Sequence, residues 1–164
     1  MCPGSTVLRS GSGMLPIFYI NLASRPDRRD FMDAQLRALG LMGTRIEAVT
    51  PADLSTGDIE LYCNADRPSF LRQNELACTL SHERCWQAML DMGADQALVF
   101  EDDVKISSLL PGFLAVAPAV DAELIRIDAL GGTIRVYPVH ETVGNGISLR
   151  RFRSTPIGAA GYII

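Results

Sequence analysis

The sequence of 164 residues is poor in lysine, histidine and tryptophan and has no long hydrophobic run. Lys105 is its only lysine among 15 basic residues, and 19 acidic residues outnumber these, which gives a net charge of −4. A chain without excess positive charge has no field that would hold a polyanion, so we expect no nucleic-acid partner. The other 14 basic residues are arginines, whose planar guanidinium groups suit the bidentate binding of phosphate.

The sequence contains four cysteines, at Cys2, Cys63, Cys78 and Cys85. They form no C-x-x-C pair, which excludes a disulfide-rich scaffold and favours a reducing, cytoplasmic location. The longest apolar run near the N-terminus, residues 14–20, contains a proline and is too short to span a membrane. We interpret residues 1–13, rich in glycine and serine, as a flexible extension before a single domain of residues 14–164.

Predicted strands and helices alternate along the chain, which indicates an α/β fold with a mixed sheet. Apolar runs at residues 15–22 and 97–100 are typical of strands that are covered on both faces. A capping box formed by Ser24 and Asp27 begins the first helix, and Gly40 ends it. The other predicted elements are a helix at 74–92, strands at 44–49 and 124–127, a short helix within the loop 50–71, and a hairpin of 133–139 with 147–152.

Three consecutive carboxylates, Glu101, Asp102 and Asp103, follow the second apolar strand. Open α/β sheets bind ligands beyond the carboxyl ends of their strands, where these side chains are expected. A hard divalent cation with oxygen ligands would relieve the repulsion between the three charges. Because adjacent residues of a strand point to opposite faces, at most two of the three can converge on one ion. An exposed acidic turn without a ligand is the alternative interpretation.

Three arginines, Arg25, Arg28 and Arg29, follow the first apolar strand and are expected at the same edge of the sheet. Arginines gain nothing from the dipole at the start of a helix, so an anionic ligand explains them better than helix stability does. The aspartates interleaved with them leave a solvated, charged face as the alternative. Arginines beside a metal site would suit a nucleoside diphosphate, whose phosphates must be neutralised when they leave.

The helix at 74–92 carries one predicted apolar stripe, made of Cys78, His82, Cys85, Met89 and Met92. The position of His82 on this stripe is compatible with two roles: a hydrogen-bonded core histidine, or a polar group that reaches the ligand cleft from below. A zinc site made of the two cysteines and His82 would lack a fourth ligand, so both cysteines are predicted to be small core residues.

Three stretches occur in an order that resembles a known family. They are Ile17–Leu22 with the arginines after it, Glu75-Leu76-Ala77-Cys78-x-Leu80-Ser81-His82 with Trp86, and Leu98–Val104 with its three carboxylates. Together they resemble glycosyltransferase family 25, the lipopolysaccharide-biosynthesis type related to the collagen galactosyltransferases. The stretch Gly158–Ile164 is similar to a strand that this family has beyond the hairpin.

This resemblance implies a Rossmann-like nucleotide-sugar-binding fold of the GT-A type. It also implies metal-dependent, inverting transfer of a hexose, galactose, from a UDP-sugar to a lipopolysaccharide or other glycan acceptor, with Mn²⁺ or Mg²⁺ as the ion. Asp103 and Asp102 would hold the metal, and Glu101 or Asp102 would face the ribose or the donor sugar. The substrate-binding residues that it implies are Asn21, Leu22, Arg25, Arg28, Arg29, Ser81, His82, Glu101 and Asp102. It identifies no general base.

Family members continue beyond the strand at Tyr162, so the fold is expected to be incomplete at its C-terminus. The apolar strand residues Tyr162, Ile163 and Ile164 would then be exposed and would favour self-association. A non-catalytic, nucleotide-sugar-binding remnant of such an enzyme is the alternative function. The expected location is the cytoplasm, with peripheral association at the inner face of the bacterial inner membrane.

Overall fold

A computed structural model describes residues 15–128, 134–144, 146–154 and 158–164 of the chain. The extension predicted for residues 1–13 lies outside this part. The strands are β1 (Ile17–Asn21), β2 (Thr44–Glu47), β3 (Leu98–Glu101), β4 (Ile125–Arg126), β5 (Val136–Val143), β6 (Ile147–Phe152) and β7 (Gly161–Ile163). The α-helices are α1 (Pro26–Ala38), α2 (Thr56–Tyr62), α3 (Gln73–Asp91) and α4 (Leu110–Leu114), and 3-10 turns cover Pro51–Asp53 and Ala117–Ala119.

The main sheet has five strands in the order β2-β1-β3-β7-β4. β1 pairs in parallel with β2 and β3, whereas β7 is antiparallel to both β3 and β4. β5 and β6 form a separate antiparallel hairpin. The prediction of an α/β fold with a mixed sheet is therefore confirmed. The structure adds α4, which the sequence pattern did not indicate, and shortens the predicted second strand to Thr44–Glu47.

The two faces of the sheet bury different apolar clusters, because side chains alternate along each strand. On one face, Tyr19 and Phe100 pack in a cluster that includes Met32 and Leu36 of α1. On the other face, Val99 packs in a cluster with Cys85 of α3. All five residues of β1 are buried, which confirms that this apolar run is covered on both faces. Helix α1 thus covers one face of the sheet and α3 the other, so a side chain at the end of a strand points toward one of these two helices.

The first helix begins differently from the sequence prediction. Its N-cap is Arg25, which makes no side-chain capping bond, and Asp27 pairs with the Arg25 guanidinium instead of joining Ser24. The predicted capping box is therefore wrong, because a charged partner two residues away competes for the Asp27 carboxylate. The predicted end is confirmed: Gly40 follows α1 with φ +68°, in the left-handed region that favours glycine.

The buried face of α3 differs in part from the predicted stripe. His82 and Cys85 are buried as the spacing predicts, but Cys78 is exposed and Met92 is 63% exposed. The core side is completed by Leu76, Ala77 and Ser81. The prediction that Cys78 is a core residue is therefore wrong, because the buried face of α3 is rotated toward the small residues Ala77 and Ser81. Cys85 is the small core residue that was predicted.

The apolar strand near the C-terminus is an inner strand of the sheet. β7 lies between β3 and β4, and Tyr162 and Ile163 are only 3% and 2% exposed. The expectation that these residues present an apolar surface is therefore wrong, since both neighbours of β7 and the layers above and below cover them.

Candidate functional site

The candidate site lies where the parallel strands β1 and β3 end side by side. Ile20 is the register partner of Glu101, so Asn21, the last residue of β1, lies beside Asp102, the first residue after β3. The Asn21 amide donates a hydrogen bond of 2.7 Å to Asp102 Oδ2, and both residues are buried. The predicted placement of the carboxylates at this sheet edge is confirmed by that contact.

The side-chain amide of Asn21 forms hydrogen bonds through both its nitrogen and its oxygen. Besides Asp102, it donates a hydrogen bond of 3.0 Å to the carbonyl oxygen of Arg25, which orients the turn before α1. Its own Oδ1 accepts a bond of 2.9 Å from Arg45 Nε of β2. Asn21 is 2% exposed and connects β1 to β2, to the turn before α1 and to the segment after β3. The resemblance implies that it binds substrate, and its contacts in the structure are with these three neighbours.

Arg28 lies between the second and third carboxylates. Its Nη1 is 3.0 Å from Asp102 Oδ1 and 3.2 Å from Asp103 Oδ2. Asp102 is buried, whereas the Asp103 side chain is 52% exposed and faces solvent. One arginine thus contacts two of the three carboxylates, and no more than two converge, as predicted. The two are neighbours in sequence because Asp102 and Asp103 lie in the turn after β3, where strand alternation no longer applies.

The remaining residues of the predicted anion site point elsewhere or lie at its rim. Arg25 makes a bidentate pair with Asp27, and its hydrogen bond lowers the pKa of that carboxyl to about 2. Arg29 lies 3.6 Å from Asp30, with both side chains exposed. Leu22, the residue after Asn21, is 37% exposed. Of the three predicted arginines, only Arg28 contacts the carboxylates that follow Phe100.

Glu101 points to the opposite face of the sheet, toward α3. Its Oε1 lies 3.8 Å from Nε2 of His82. Burial by itself lowers the pKa of His82, but the neighbouring Cys78 and Glu101 side chains outweigh this effect and raise the pKa to about 9. Nδ1 of His82 is 3.0 Å from the Tyr162 hydroxyl, to which Trp86 Nε1 donates a bond of 2.8 Å. Tyr162, whose hydroxyl is held by Trp86, thus orients the His82 ring.

Ser81 has a structural environment. Its hydroxyl accepts a hydrogen bond of 2.8 Å from the backbone N–H of Val49 and donates one of 2.8 Å to the carbonyl of Ala77. At 1% exposure it joins α3 to the segment after β2. Ser81 and His82 are adjacent in sequence but have different surroundings. Ser81 bonds the backbone of Val49 and Ala77, whereas His82 lies near the Glu101 carboxylate.

Comparison with known proteins bears on these residues directly. The family model "Glycosyltransferase family 25 (LPS biosynthesis protein)" matches residues 14–129, which include β1, the arginines, α3 and the three carboxylates. The chain belongs to glycosyltransferase family 25. The resemblance that the three motifs indicate is therefore confirmed.

Named relatives of this glycosyltransferase family 25 chain come from bacteria and mammals. "Lacto-N-neotetraose biosynthesis glycosyltransferase LgtE" of Neisseria meningitidis serogroup B is 29% identical over 153 residues, which cover 88% of this chain and 55% of the relative. "Inactive glycosyltransferase 25 family member 3" of Homo sapiens is 32% identical over 145 residues, 82% of this chain and 24% of the relative. "Procollagen galactosyltransferase 2" of Mus musculus is 33% identical over 101 residues, 57% of this chain and 16% of the relative. The two of these relatives that match more than four fifths of this chain are much longer proteins, and the match covers about a quarter to a half of their length.

Two residues that the sequence patterns did not indicate, Arg45 and Gln35, hold the segments around the candidate site in place. Arg45 of β2 binds both the side chain and the backbone carbonyl of Asn21. Gln35 of α1 donates to the carbonyl of Val104 at 3.0 Å and accepts from the backbone N–H of Ile106 at 2.9 Å, which holds the segment after the carboxylates against α1. A lone arginine in a strand and a lone glutamine in a helix carry no sequence signal for such contacts.

Within the described residues, none of the helices combines the length and the apolar character that crossing a membrane requires.

Proposed function

We propose that the chain is the donor-binding part of a metal-dependent, inverting glycosyltransferase with a GT-A fold, and that its donor is a UDP-hexose, UDP-galactose. The observation that carries this proposal is the convergence of Arg28 on Asp102 and Asp103 at the ends of parallel strands. An arginine and a carboxylate pair at such an edge combine the groups that bind the phosphates and the ion of a nucleotide sugar.

The residues at this edge fit a hard divalent cation. Asp102 and Asp103 each place a carboxylate oxygen within 3.0 to 3.2 Å of the same guanidinium nitrogen, so both oxygens reach toward one point. Oxygen ligands of this type suit Mn²⁺ and Mg²⁺. We propose that Asp103, the exposed member, is the main ligand and that Asp102 supports it. A bound ion would supply charge neutralisation for the departing diphosphate.

Arg28 would exchange its carboxylate contacts for contacts with the diphosphate. Its side chain is 35% exposed and donates from a planar guanidinium group, which suits two phosphate oxygens. Leu22, exposed at the end of β1, offers an apolar surface to the uridine ring. In this proposal Asn21 acts indirectly, because its amide fixes the position of Asp102. Arg25 and Arg29 would contribute only general positive charge, since each is paired with an exposed aspartate.

The acceptor side is proposed from the relatives alone. The Neisseria relative is named for lacto-N-neotetraose biosynthesis and the murine one for procollagen galactosyl transfer, and we propose a lipopolysaccharide or other glycan acceptor for the protein to which this chain contributes. Such an acceptor would place the protein in the cytoplasm at the inner face of the bacterial inner membrane.

The second candidate function is a non-catalytic domain that binds nucleotide sugars. One observation favours it: two relatives that match more than four fifths of this chain are named as inactive or probably inactive family members. Donor binding is common to both candidates. Only the appearance of free hexose or of a glycosylated acceptor separates them.

The test compares UDP with uridine in calorimetric titrations of the parent chain, Arg28→Ala and Arg29→Ala. We expect Arg28→Ala to lower the affinity for UDP by at least about tenfold and to leave uridine nearly unchanged, because about 1.5–3 kcal/mol is typical of a hydrogen bond to a charged group. Arg29→Ala is the matched control and should have a much smaller effect. An equal loss of UDP and uridine binding in Arg28→Ala, or equal effects of the two variants, would contradict the proposed diphosphate site.

A further inference from the structure

A second cluster of ligand-type side chains lies on the face of the sheet opposite Arg28. The thiol of Cys78, the imidazole of His82 and the carboxylate of Glu101 offer atoms that all lie within 4.8 Å of one another. The cluster combines sulfur, nitrogen and oxygen donors, which differs from the all-oxygen pair formed by Asp102 and Asp103. It is therefore chemically distinct from the donor site proposed above.

The fold produces this cluster for local reasons. Cys78 and His82 are four residues apart on α3, so their side chains lie one above the other on the same helix face. Glu101 ends β3 and points toward α3, because the alternation that sends Asp102 to α1 sends Glu101 to the other face. Cys85, which sequence spacing also placed on this stripe, packs in the apolar core and takes no part.

His82 supplies the independent observation that this cluster is a ligand site. Its side chain is 6% exposed, and Nε2 has no hydrogen-bond partner among the described residues. The nearest carboxylate oxygen, Glu101 Oε1, lies 3.8 Å away, beyond hydrogen-bonding distance. A buried polar nitrogen without a partner is costly. An ion bound between Nε2, the thiol and the carboxylate would remove that cost.

We propose that Cys78, His82 and Glu101 form a binding site for a divalent transition-metal ion with the ligand preferences of zinc. Thiolate, imidazole and carboxylate are the three ligand types that Zn²⁺ accepts in proteins, whereas Mg²⁺ prefers oxygen ligands alone. The spacing of 3.8 Å between Nε2 and Oε1 already approaches that of two ligands around a tetrahedral ion. The exposed Cys78 thiol can complete the approach, and solvent can fill the fourth position.

The surroundings of His82 support binding through Nε2. A metal-bound histidine usually donates its other ring N–H to a fixed acceptor, which sets the tautomer and the ring orientation. With an ion on Nε2, Nδ1 carries the proton and donates it to the Tyr162 oxygen at 3.0 Å. The site would thus connect α3 to the end of β3.

The experiment titrates the chelator-treated full chain with Co²⁺, which reports thiolate coordination by a charge-transfer absorption, and then displaces Co²⁺ with Zn²⁺. We expect a thiolate band that saturates at one ion per chain. Cys78→Ser should abolish the band and weaken Zn²⁺ binding at least about tenfold, since loss of even an outer-shell partner costs about 10–100-fold. Glu101→Gln should weaken binding while retaining the band, which provides a second variant that leaves the buried His82 in place.

Matched controls separate this site from other thiols and from the donor site. Cys63→Ser removes a described cysteine outside the cluster and should leave the band and the affinity unchanged. Asp103→Asn should also leave both unchanged, even if it abolishes metal-dependent UDP binding. The proposal is overturned if no thiolate band forms, if Cys78→Ser binds Zn²⁺ as tightly as the parent chain, or if a control cysteine variant removes the band.

Discussion

Replacing Asn21 with leucine should destabilise the sheet edge on which the candidate site is built. The side chain is 2% exposed, so water cannot substitute for its hydrogen bonds. Its bond of 2.7 Å to Asp102 involves a charged group and is worth about 1.5–3 kcal/mol, and its bond of 3.0 Å to the Arg25 carbonyl about 0.5–1.5 kcal/mol. The bond from Arg45 to Asn21 Oδ1 is lost as well. We therefore expect Asn21→Leu to lower the free energy of unfolding by at least about 2 kcal/mol. For a chain of this size that corresponds to a fall in Tm of at least about 4 °C.

Urea and thermal unfolding, followed by circular dichroism, measure this effect. Asn74→Leu is the matched control, because it makes the same substitution at an exposed position at the start of α3. A double-mutant cycle with Asp102→Leu should show a coupling of at least about 1 kcal/mol, since the two single variants remove the same hydrogen bond. If Asn21→Leu costs no more than Asn74→Leu, or if the cycle shows no coupling, then Asn21 does not hold Asp102 in place and the positioning argument fails.

Three other outcomes follow from single residues. Ser81→Ala should lower the free energy of unfolding by about 1–3 kcal/mol in urea titrations, because it leaves a buried backbone N–H without an acceptor; a change below about 0.5 kcal/mol would contradict this. Burial raises the pKa of Cys85 to about 12, so alkylation mapped by mass spectrometry at pH 8 should modify the exposed Cys78 and spare Cys85, and equal labelling would contradict the core placement. The Asp27 carboxyl should titrate near pH 2 by NMR because Arg25 binds it. Its stabilising contribution is then present above pH 3.8 and is lost as the pH falls through 2. Arg25→Gln should move the midpoint of the titration back toward 3.8, and an unchanged midpoint would contradict the pairing.

The sheet and its edge could be predicted because their signals are local. The apolar run Ile17–Ile20 of β1 indicates a strand that is buried on both faces, and the abrupt change from Phe100 to Glu101 marks the end of the buried part of β3. Alternation along β3 also predicts that the three carboxylates cannot face one ion together. The structure bears this out, with Glu101 on one face and Asp102 on the other.

The rest depends on contacts between residues that are far apart in sequence. Nothing in the spacing of Cys78 and His82 indicates that Glu101 of another element completes their cluster. The three arginines look equivalent in sequence, yet only Arg28 reaches Asp102 and Asp103, because it lies in the first turn of α1 on the side facing the end of β3. The capping box failed for a local reason instead, since the guanidinium of Arg25, two residues away, offers Asp27 a strong charged partner.

Calorimetric titration of the chain with UDP, with and without Mn²⁺, is the most direct test of the proposed donor site. We predict that Mn²⁺ increases the affinity for UDP in the parent chain and that Asp103→Asn loses this increase while keeping the parent's Tm, because the Asp103 side chain is 52% exposed. Asp95→Asn, at an exposed position before β3, is the matched control and should behave like the parent chain. Equal UDP binding with and without Mn²⁺ in the parent chain, or an undiminished Mn²⁺ effect in Asp103→Asn, would contradict the assignment of a metal-dependent nucleotide-sugar site to this edge of the sheet.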